Sequence, residues 1–335
     1  MQILVLGGTA WLGHEIAAEA LRRGHQVTCL ARGTSGAVPS GARLVRADRD
    51  ATDGLDAVAG QHWDAVLDVS RQPGQVRQAA AALAGAAKHF TFVSSCSVYA
   101  DHDSPGADES AGLLPPLESD VMTSPDVYGQ AKVACENAAR DAFGPGRTLI
   151  VRPGLIAGPG DITDRTGYWP LRFARPVSDD GAVLVPNAPG LDAQVIDARD
   201  LAAWLVASAG KRLTGEFNAV GDVLGLAEHL EVARSVAGHS GPVMALDQEE
   251  LAAADVNPWA GQRSLPLWLP LTDFAGFTSR SNAAAKAAGL ALRPLAETLA
   301  DTLDWELAAG PDRPRNAGLA SEEERRLLTI AHARS

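Results

Sequence analysis

Ile3-Leu4-Val5-Leu6-Gly7-Gly8-Thr9-Ala10-Trp11-Leu12-Gly13 stands near the start of the chain. Four apolar residues in a row read as a buried strand and Trp11–Arg23 as an amphipathic helix, so the glycines fall on the turn between them. In an open α/β sheet such a turn lies at the carboxyl edge of the first strand, where backbone N–H groups and the positive end of the helix favour a phosphate. Gly7 serves the tight turn, the middle position allows close approach to a pyrophosphate, and Gly13 lets the helix pack tightly; the middle position here is Ala10, the smallest departure from glycine. Gly7, Thr9, Ala10, Trp11, Leu12 and Gly13 are therefore the first candidates for contact with a dinucleotide.

Outward from this loop, short apolar runs alternate with amphipathic ones: Gln26–Leu30, Ala65–Asp68, Val76–Ala87, Phe90–Val93, Asp126–Phe143 and Thr148–Val151. That alternation predicts parallel strands joined by crossover helices, an α/β doubly wound parallel sheet of the Rossmann type. The rhythm breaks past Arg152, at Gly158-Pro159-Gly160 and Tyr168-Trp169-Pro170, and returns at Ala193–Ser208 and Glu216–Val220. The predicted layout is a dinucleotide-binding core over 1–160, completed by about 194–222. A smaller, mostly C-terminal α/β substrate lobe takes 161–193 and 223–310. A loop and helix over 311–335 follow, with Ser321 and Glu324 as a capping box.

The chain has 335 residues, 46% of them hydrophobic and 21% charged, enough to bury a large core and a small lobe. A formal net charge of -12 disfavours nucleic acid and anionic membranes, both of which need a basic surface. Cys29, Cys96 and Cys135 are scattered without a C-x-x-C spacing, so neither a disulfide framework nor a metal site is expected. Without a secretion signal or a bilayer-length apolar stretch, the expectation is a cytoplasmic protein with a small-molecule partner, paired as a homodimer through two long core helices.

Where an NAD-specific fold places an acid on the ribose diol, the second strand ends Leu30-Ala31-Arg32-Gly33. A guanidinium at Arg32 suits a 2′-phosphate, which favours NADP(H) over NAD(H); a solvated surface arginine is the plainer reading. Asp48 is either an acceptor for the adenine amino group or a turn former. Val69 and Ser70, after the strand Ala65–Asp68, and Pro153, Gly154 and Leu155, after Thr148–Val151, are counted with the same cofactor site.

Ser124-Pro125 is a helix start, and Tyr128-Gly129-Gln130-Ala131-Lys132 follows at once. Tyr128 and Lys132 share one helix face, so the ammonium stabilises the phenolate, and Lys132 reaches a nicotinamide ribose. Upstream, Phe90-Thr91-Phe92-Val93-Ser94-Ser95-Cys96-Ser97-Val98-Tyr99 reads as a buried strand ending in hydroxyls at the ligand-binding edge. A serine there can donate to a carbonyl oxygen that Tyr128 protonates. Ser94, Ser95 and Ser97 compete for that role, because neighbouring strand residues face opposite ways and a bulge exchanges them.

In order, these motifs resemble the extended, atypical short-chain dehydrogenase/reductase family, also called the NAD-dependent epimerase/dehydratase family, over nearly the whole chain. Its glycine loop falls on Gly7, Ala10 and Gly13, its Ser-Ser-x-x-Val-Tyr strand end on Ser94, Ser95, Val98 and Tyr99, and its Tyr-x-x-x-Lys on Tyr128 and Lys132. The resemblance implies Ser95, Tyr128 and Lys132 as the catalytic residues. Nucleotide-sugar members carry an Asn where this chain has Leu155, and dehydratases carry Asp-Glu where it has Cys96 and Ser97; both departures point away from those activities.

Cys96, Ser97, Tyr168, Trp169 and Trp268 are the substrate candidates, the large rings because several stand beside Pro and Gly in apparent loops and could close over an apolar or ring-bearing substrate. Filling the lobe's core explains the rings equally well. Arg165, Arg172 and Arg175 are read either as an anion site or as a charged helix face. The leading expectation is an NADP(H)-dependent oxidoreductase that reduces a carbonyl or imine of a small metabolite. The alternatives are an epimerase or dehydratase with transient hydride transfer to tightly bound NAD(P), and a non-catalytic cofactor- or RNA-binding relative.

Overall fold

Seven parallel strands form the central sheet of the computed structural model, whose described residues are 1–333. In chain order they are β1 (Gln2–Leu6), β2 (Gln26–Ala31), β3 (Arg43–Arg46), β4 (Ala65–Asp68), β5 (Phe90–Val93), β6 (Thr148–Pro153) and β7 (Gly215–Ala219). Across the sheet the order is β3-β2-β1-β4-β5-β6-β7, with Leu6 beside both Leu30 and Asp68. The winding reverses at β1, and the crevice beyond its carboxyl end is where such sheets bind ligands. This is the Rossmann-type fold that the sequence predicts.

Helices of seven or more residues are α1 (Trp11–Arg22), α2 (Pro73–Leu83), α3 (Tyr128–Phe143), α4 (Tyr168–Ala174), α5 (Ala198–Lys211), α6 (Leu226–Val236), α7 (Leu295–Ala309) and α8 (Ser321–His332). Strand alternation sorts β1 between two apolar layers. Ile3 and Val5 pack with Ile16 and Ala17 of α1 and with Leu201 and Leu205 of α5, while Leu4 and Leu6 pack with Val76 and Ala80 of α2 and with Cys135 and Ala139 of α3. Among the described residues no helix is long and apolar enough to cross a membrane.

A separate apolar cluster holds the second lobe together, drawing on Leu155, Phe173, Leu184, Leu230, Leu299 and Leu327. Tyr168, Trp169 and Trp268 belong to it and are buried, and the Trp169 indole donates to Pro266 O at 2.7 Å. Their burial agrees with the core-filling reading of these rings, since a small unit needs its largest side chains inside, while Tyr168 also borders a cavity beside α4. The short helix Ala283–Ala287 contributes Ala285 to the sheet's own cluster, so the chain returns to the first layer before α7.

The expected capping box at Ser321 and Glu324 does not form; the N-cap is Ala320, and only the glutamate half of such a box is present, one residue earlier. Ser321 is already helical, and Glu323 reaches back to the backbone N–H of Ala320 at 2.9 Å. Glu324 cannot do this because it shares the face of Leu327 and Leu328, which are buried in the lobe. It lies inside and pairs with Arg172 at 2.7 Å. Of the tail expected over 311–335, residues 334–335 lie outside the described part.

Trp169→Ala should cost about 3–5 kcal/mol of unfolding free energy in urea titration, as deletion of a buried core ring does, and should leave cofactor affinity unchanged because the ring lies in the second lobe.

Candidate active site

The loop after β1 is shaped by its glycines. Gly7 has φ +97°, and a Cβ there would sit 2.8 Å from Val69 Cγ2. A Cβ on Gly13 would sit 2.2 Å from the Gly7 carbonyl oxygen, so α1 can start this close to the turn only with glycine. Ala10 is extended and precedes the first helical residue, which leaves the N–H groups of the first turn without helical acceptors. Beside the loop lies a cavity of about 450 Å³ lined by Gly7, Thr9, Ala10, Arg32, Asp48, Val69 and Ser70, among others. A cradle that no Cβ could enter, opening on a helix N-terminus, fits the pyrophosphate of a dinucleotide.

Trp11, Leu12, Pro153, Gly154 and Leu155 stand apart from this cavity. The Trp11 indole donates to Pro159 O at 2.8 Å and pins the loop to the Gly158–Gly160 segment. Leu12 packs against the apolar layer under α1. Pro153 ends β6, Gly154 closes on Val220, and Leu155 is buried in the second lobe's cluster. Arg32 is exposed at the cavity. Asp48 lines the cavity and forms a turn, its Oδ1 accepting from the Asp50 N–H at 3.1 Å.

Arg49, which the sequence reading passed over, is buried and donates to both oxygens of Asp68, at 2.8 and 2.7 Å, and to Gln75 O at 2.7 Å. Asp68 also accepts from the Ser70 N–H at 2.9 Å, so this bidentate pair shapes the cavity wall. Its signal was the charged run Arg46-Ala47-Asp48-Arg49-Asp50, of which only Asp48 was singled out.

Tyr128, Lys132, Glu136 and Arg140 recur every four residues on α3, so they share a face, and the last three bind successive strands of the sheet. The Lys132 ammonium donates to the carbonyls of Ser70, after β4, and Val93, at the end of β5, both at 2.7 Å. Glu136 accepts from Ser94 Oγ at 2.6 Å and, on both oxygens, from Arg152 of β6 at 2.9 and 2.8 Å. Arg140 donates to Glu136 at 2.8 Å and to Glu216 of β7 at 2.9 Å. Burial pushes the Glu136 carboxyl up, but the bonds and charge of Arg152, with Ser94 and Arg140, outweigh it and hold the group below its ordinary value.

This network separates the competing serines. Ser94 is buried and committed to Glu136, whereas Ser95 and Ser97 are partly exposed. Ser95 caps a single turn, Cys96–Val98, accepting from the Ser97 N–H and donating to Ser97 Oγ, both at 3.1 Å. Gly129 brings α3 onto this turn: a Cβ there would lie 2.1 Å from Ser97 O. Tyr128 precedes Gly129, and its ring centroid is 5.9 Å from the Lys132 ammonium. Ser124 caps the turn Pro125–Val127 that leads into α3, so the expected helix start holds with a tighter first turn.

Cys96, by contrast, faces away from the partly exposed hydroxyls. It is buried, its thiol is directed at Arg152 O at 3.3 Å, and burial pushes its pKa up to about 12. The Cys96–Val98 turn carries it inward between Ser95 and Ser97, where it is a small buried filler. A further cavity, about 650 Å³, lies between α4 and the 311–321 segment and is lined by none of Ser95, Tyr128 and Lys132.

Because Glu136 titrates below its unfolded value, its stabilisation is present above that value and is lost as pH falls through the folded one. Arg152→Met should cost about 3–5 kcal/mol at neutral pH by urea unfolding, since it strips a buried carboxylate of its main partner. The cost should shrink as pH falls, because Glu136 of the variant, buried and without Arg152, takes up a proton more readily than in the wild type; a cost independent of pH would contradict the assignment.

Comparison with solved structures finds the same fold throughout. A Burkholderia cenocepacia protein provisionally designated an epimerase matches with a TM-score of 0.68 and 21% identity, covering 92% of this chain and 98% of that one. UDP-glucuronic acid 4-epimerase from Bacillus cereus, solved with NAD, matches with a TM-score of 0.65 and 15% identity over 92% and 99%. UDP-N-acetylglucosamine 4-epimerase from Bacillus cereus gives 0.63 and 16% over 92% and 99%. A search of curated proteins found no match. The sequence model of the NAD dependent epimerase/dehydratase family covers residues 3–218, a span that runs from β1 through the glycine loop and α3 into β7, and the chain belongs to that family of enzymes.

Proposed function

We propose that this enzyme is an NADP(H)-dependent reductase of a carbonyl, or of the related imine, in a small metabolite. The observation that carries the reading is the α3 face, on which Tyr128 and Lys132 stand one turn apart while Gly129 seats the helix against the Ser95–Ser97 turn. A bound reduced nicotinamide supplies the hydride. Ser95 donates a hydrogen bond to the substrate oxygen, and Tyr128 gives that oxygen its proton as charge develops there. An ammonium has three N–H donors, and Lys132 uses two on Ser70 and Val93, so the third serves the ribose and the positive charge favours the phenolate left after proton transfer.

The phosphate on the adenosine ribose is assigned to Arg32, which lies at the cavity where the diol-binding acid is missing. A second reading, epimerisation with a tightly held NAD, is favoured by the family and by the sugar-nucleotide epimerases among its structural neighbours. Leu155, buried in the second lobe, argues against a sugar-nucleotide ligand at that position.

Tyr128→Phe should lower kcat for NADPH-dependent carbonyl reduction by about 10²–10⁴-fold, the usual yield of a positioned acid, with unchanged NADPH affinity. NAD that co-purifies without exchange, alongside no net NADPH consumption, would replace reduction by the epimerase reading. Arg32→Ala should weaken NADPH about tenfold through the loss of one charge-assisted bond and leave NADH unaffected; equal effects on both cofactors would remove Arg32 from the phosphate.

A further inference from the structure

Three arginines in the sequence were candidates for an anion site, and the fold separates them. Arg172 is spent on Glu324 and on Leu319 O at 3.0 Å, and Arg175 is exposed at the large cavity by α4. Arg165 lies in the loop after Gly158-Pro159-Gly160, which the Trp11 indole fastens to the start of α1. The two acids of that loop are occupied elsewhere. Asp161 accepts from the N–H and hydroxyl of Thr163 with one oxygen, at 2.8 and 2.6 Å, and from those of Thr166 with the other, at 3.1 and 2.8 Å. Asp164 holds Arg313 and the Asn316 N–H. Among the described residues Arg165 has no carboxylate partner.

Its guanidinium is nevertheless fixed. Nε donates to Thr163 Oγ1 at 3.1 Å, and Cζ lies 4.9 Å from the centroid of the Trp259 ring. Trp259 has φ +67°, a left-handed conformation that a bulky residue keeps only where its surroundings enforce it, and its ring packs edge-on against Phe277 at 5.3 Å. Burial opposes the charge on Arg165, while the Asp161 carboxylate and the Tyr128 side chain favour it, and the loop that carries it packs Gly160 against the Trp11 ring beside the glycine cradle. With Nε committed, both terminal nitrogens remain as a planar fork of the kind that matches a carboxylate.

We infer that Arg165, braced by Thr163 and Trp259, is the substrate-anion site, and that the substrate is an oxo acid whose carboxylate it binds while Tyr128 acts on the neighbouring carbonyl. A single guanidinium suits a single negative charge, which favours a carboxylate over a phosphate. The inference rests on the proposed reduction only for the location of the carbonyl; recognition of the anion is a binding property and can be measured without turnover.

Phenylglyoxylate and its methyl ester differ by that one charge, and the phenyl ring suits the Trp259–Phe277 pair. Each is titrated calorimetrically into wild type, Arg165→Lys and Arg165→Gln at saturating NADPH and again without cofactor. Wild type should bind the acid at least about tenfold more tightly than the ester, the range of a charge-assisted bidentate contact. Arg165→Gln should abolish the preference and Arg165→Lys keep part of it, with unchanged NADPH affinity and thermal midpoint in both. No preference in wild type, whether from equal binding or from none, overturns the inference, as does a preference that survives Arg165→Gln. A carboxylate preference in a protein that consumes no NADPH would keep this site and refute reduction.

Discussion

Four hydrogen bonds converge on the Glu136 carboxylate, two from Arg152 and one each from Ser94 and Arg140, and the placement of α3 follows from them. Buried ion pairs seldom add much net stability, because desolvation consumes most of the attraction, but a wrongly seated one is very costly. The pair therefore acts as a register device. With Glu136 locked between β5 and β6, the residues one and two turns earlier on the same face have little freedom, and those are Lys132 and Tyr128.

The same face joins the two halves of the site. Lys132 donates to Val93, immediately before Ser94, and to Ser70, whose side of the sheet lines the dinucleotide cavity. Beneath that cavity the Arg49–Asp68 pair holds the end of β4, and Asp68 in turn orients the Ser70 backbone. The glycine cradle and the helix that carries Tyr128 are thus joined by one polar network laid along the carboxyl ends of β4, β5 and β6.

Local pattern carried the parts of this arrangement that are local. The loop Gly7–Gly13 and the alternation of apolar runs sufficed for the sheet, because glycine spacing and strand periodicity are set by neighbours in the chain. The Tyr128/Lys132 pair was legible for the same reason, yet the continuation of its period to Glu136 and Arg140 went unread, since charged residues on a helix usually mean a solvated face. Partners far apart in sequence left no local trace: Arg152 for Glu136, Asp68 for Arg49 and Glu324 for Arg172 meet only in the folded sheet and lobe. For Tyr168, Trp169 and Trp268 the local pattern left two readings open, because Pro and Gly neighbours suggest loops whereas a lobe of short segments buries its rings wherever they occur.

Lys132 links the cofactor cavity, through Ser70, to the face that carries Tyr128, and Lys132→Met tests that link. Replacement removes the donor to Ser70 and Val93 while keeping most of the side-chain volume. Titration with NADPH and NADH, followed by tryptophan fluorescence, should show weakened cofactor binding, and carbonyl reduction should fall together with it. A variant that binds both cofactors and turns over as the wild type does would contradict this role for Lys132.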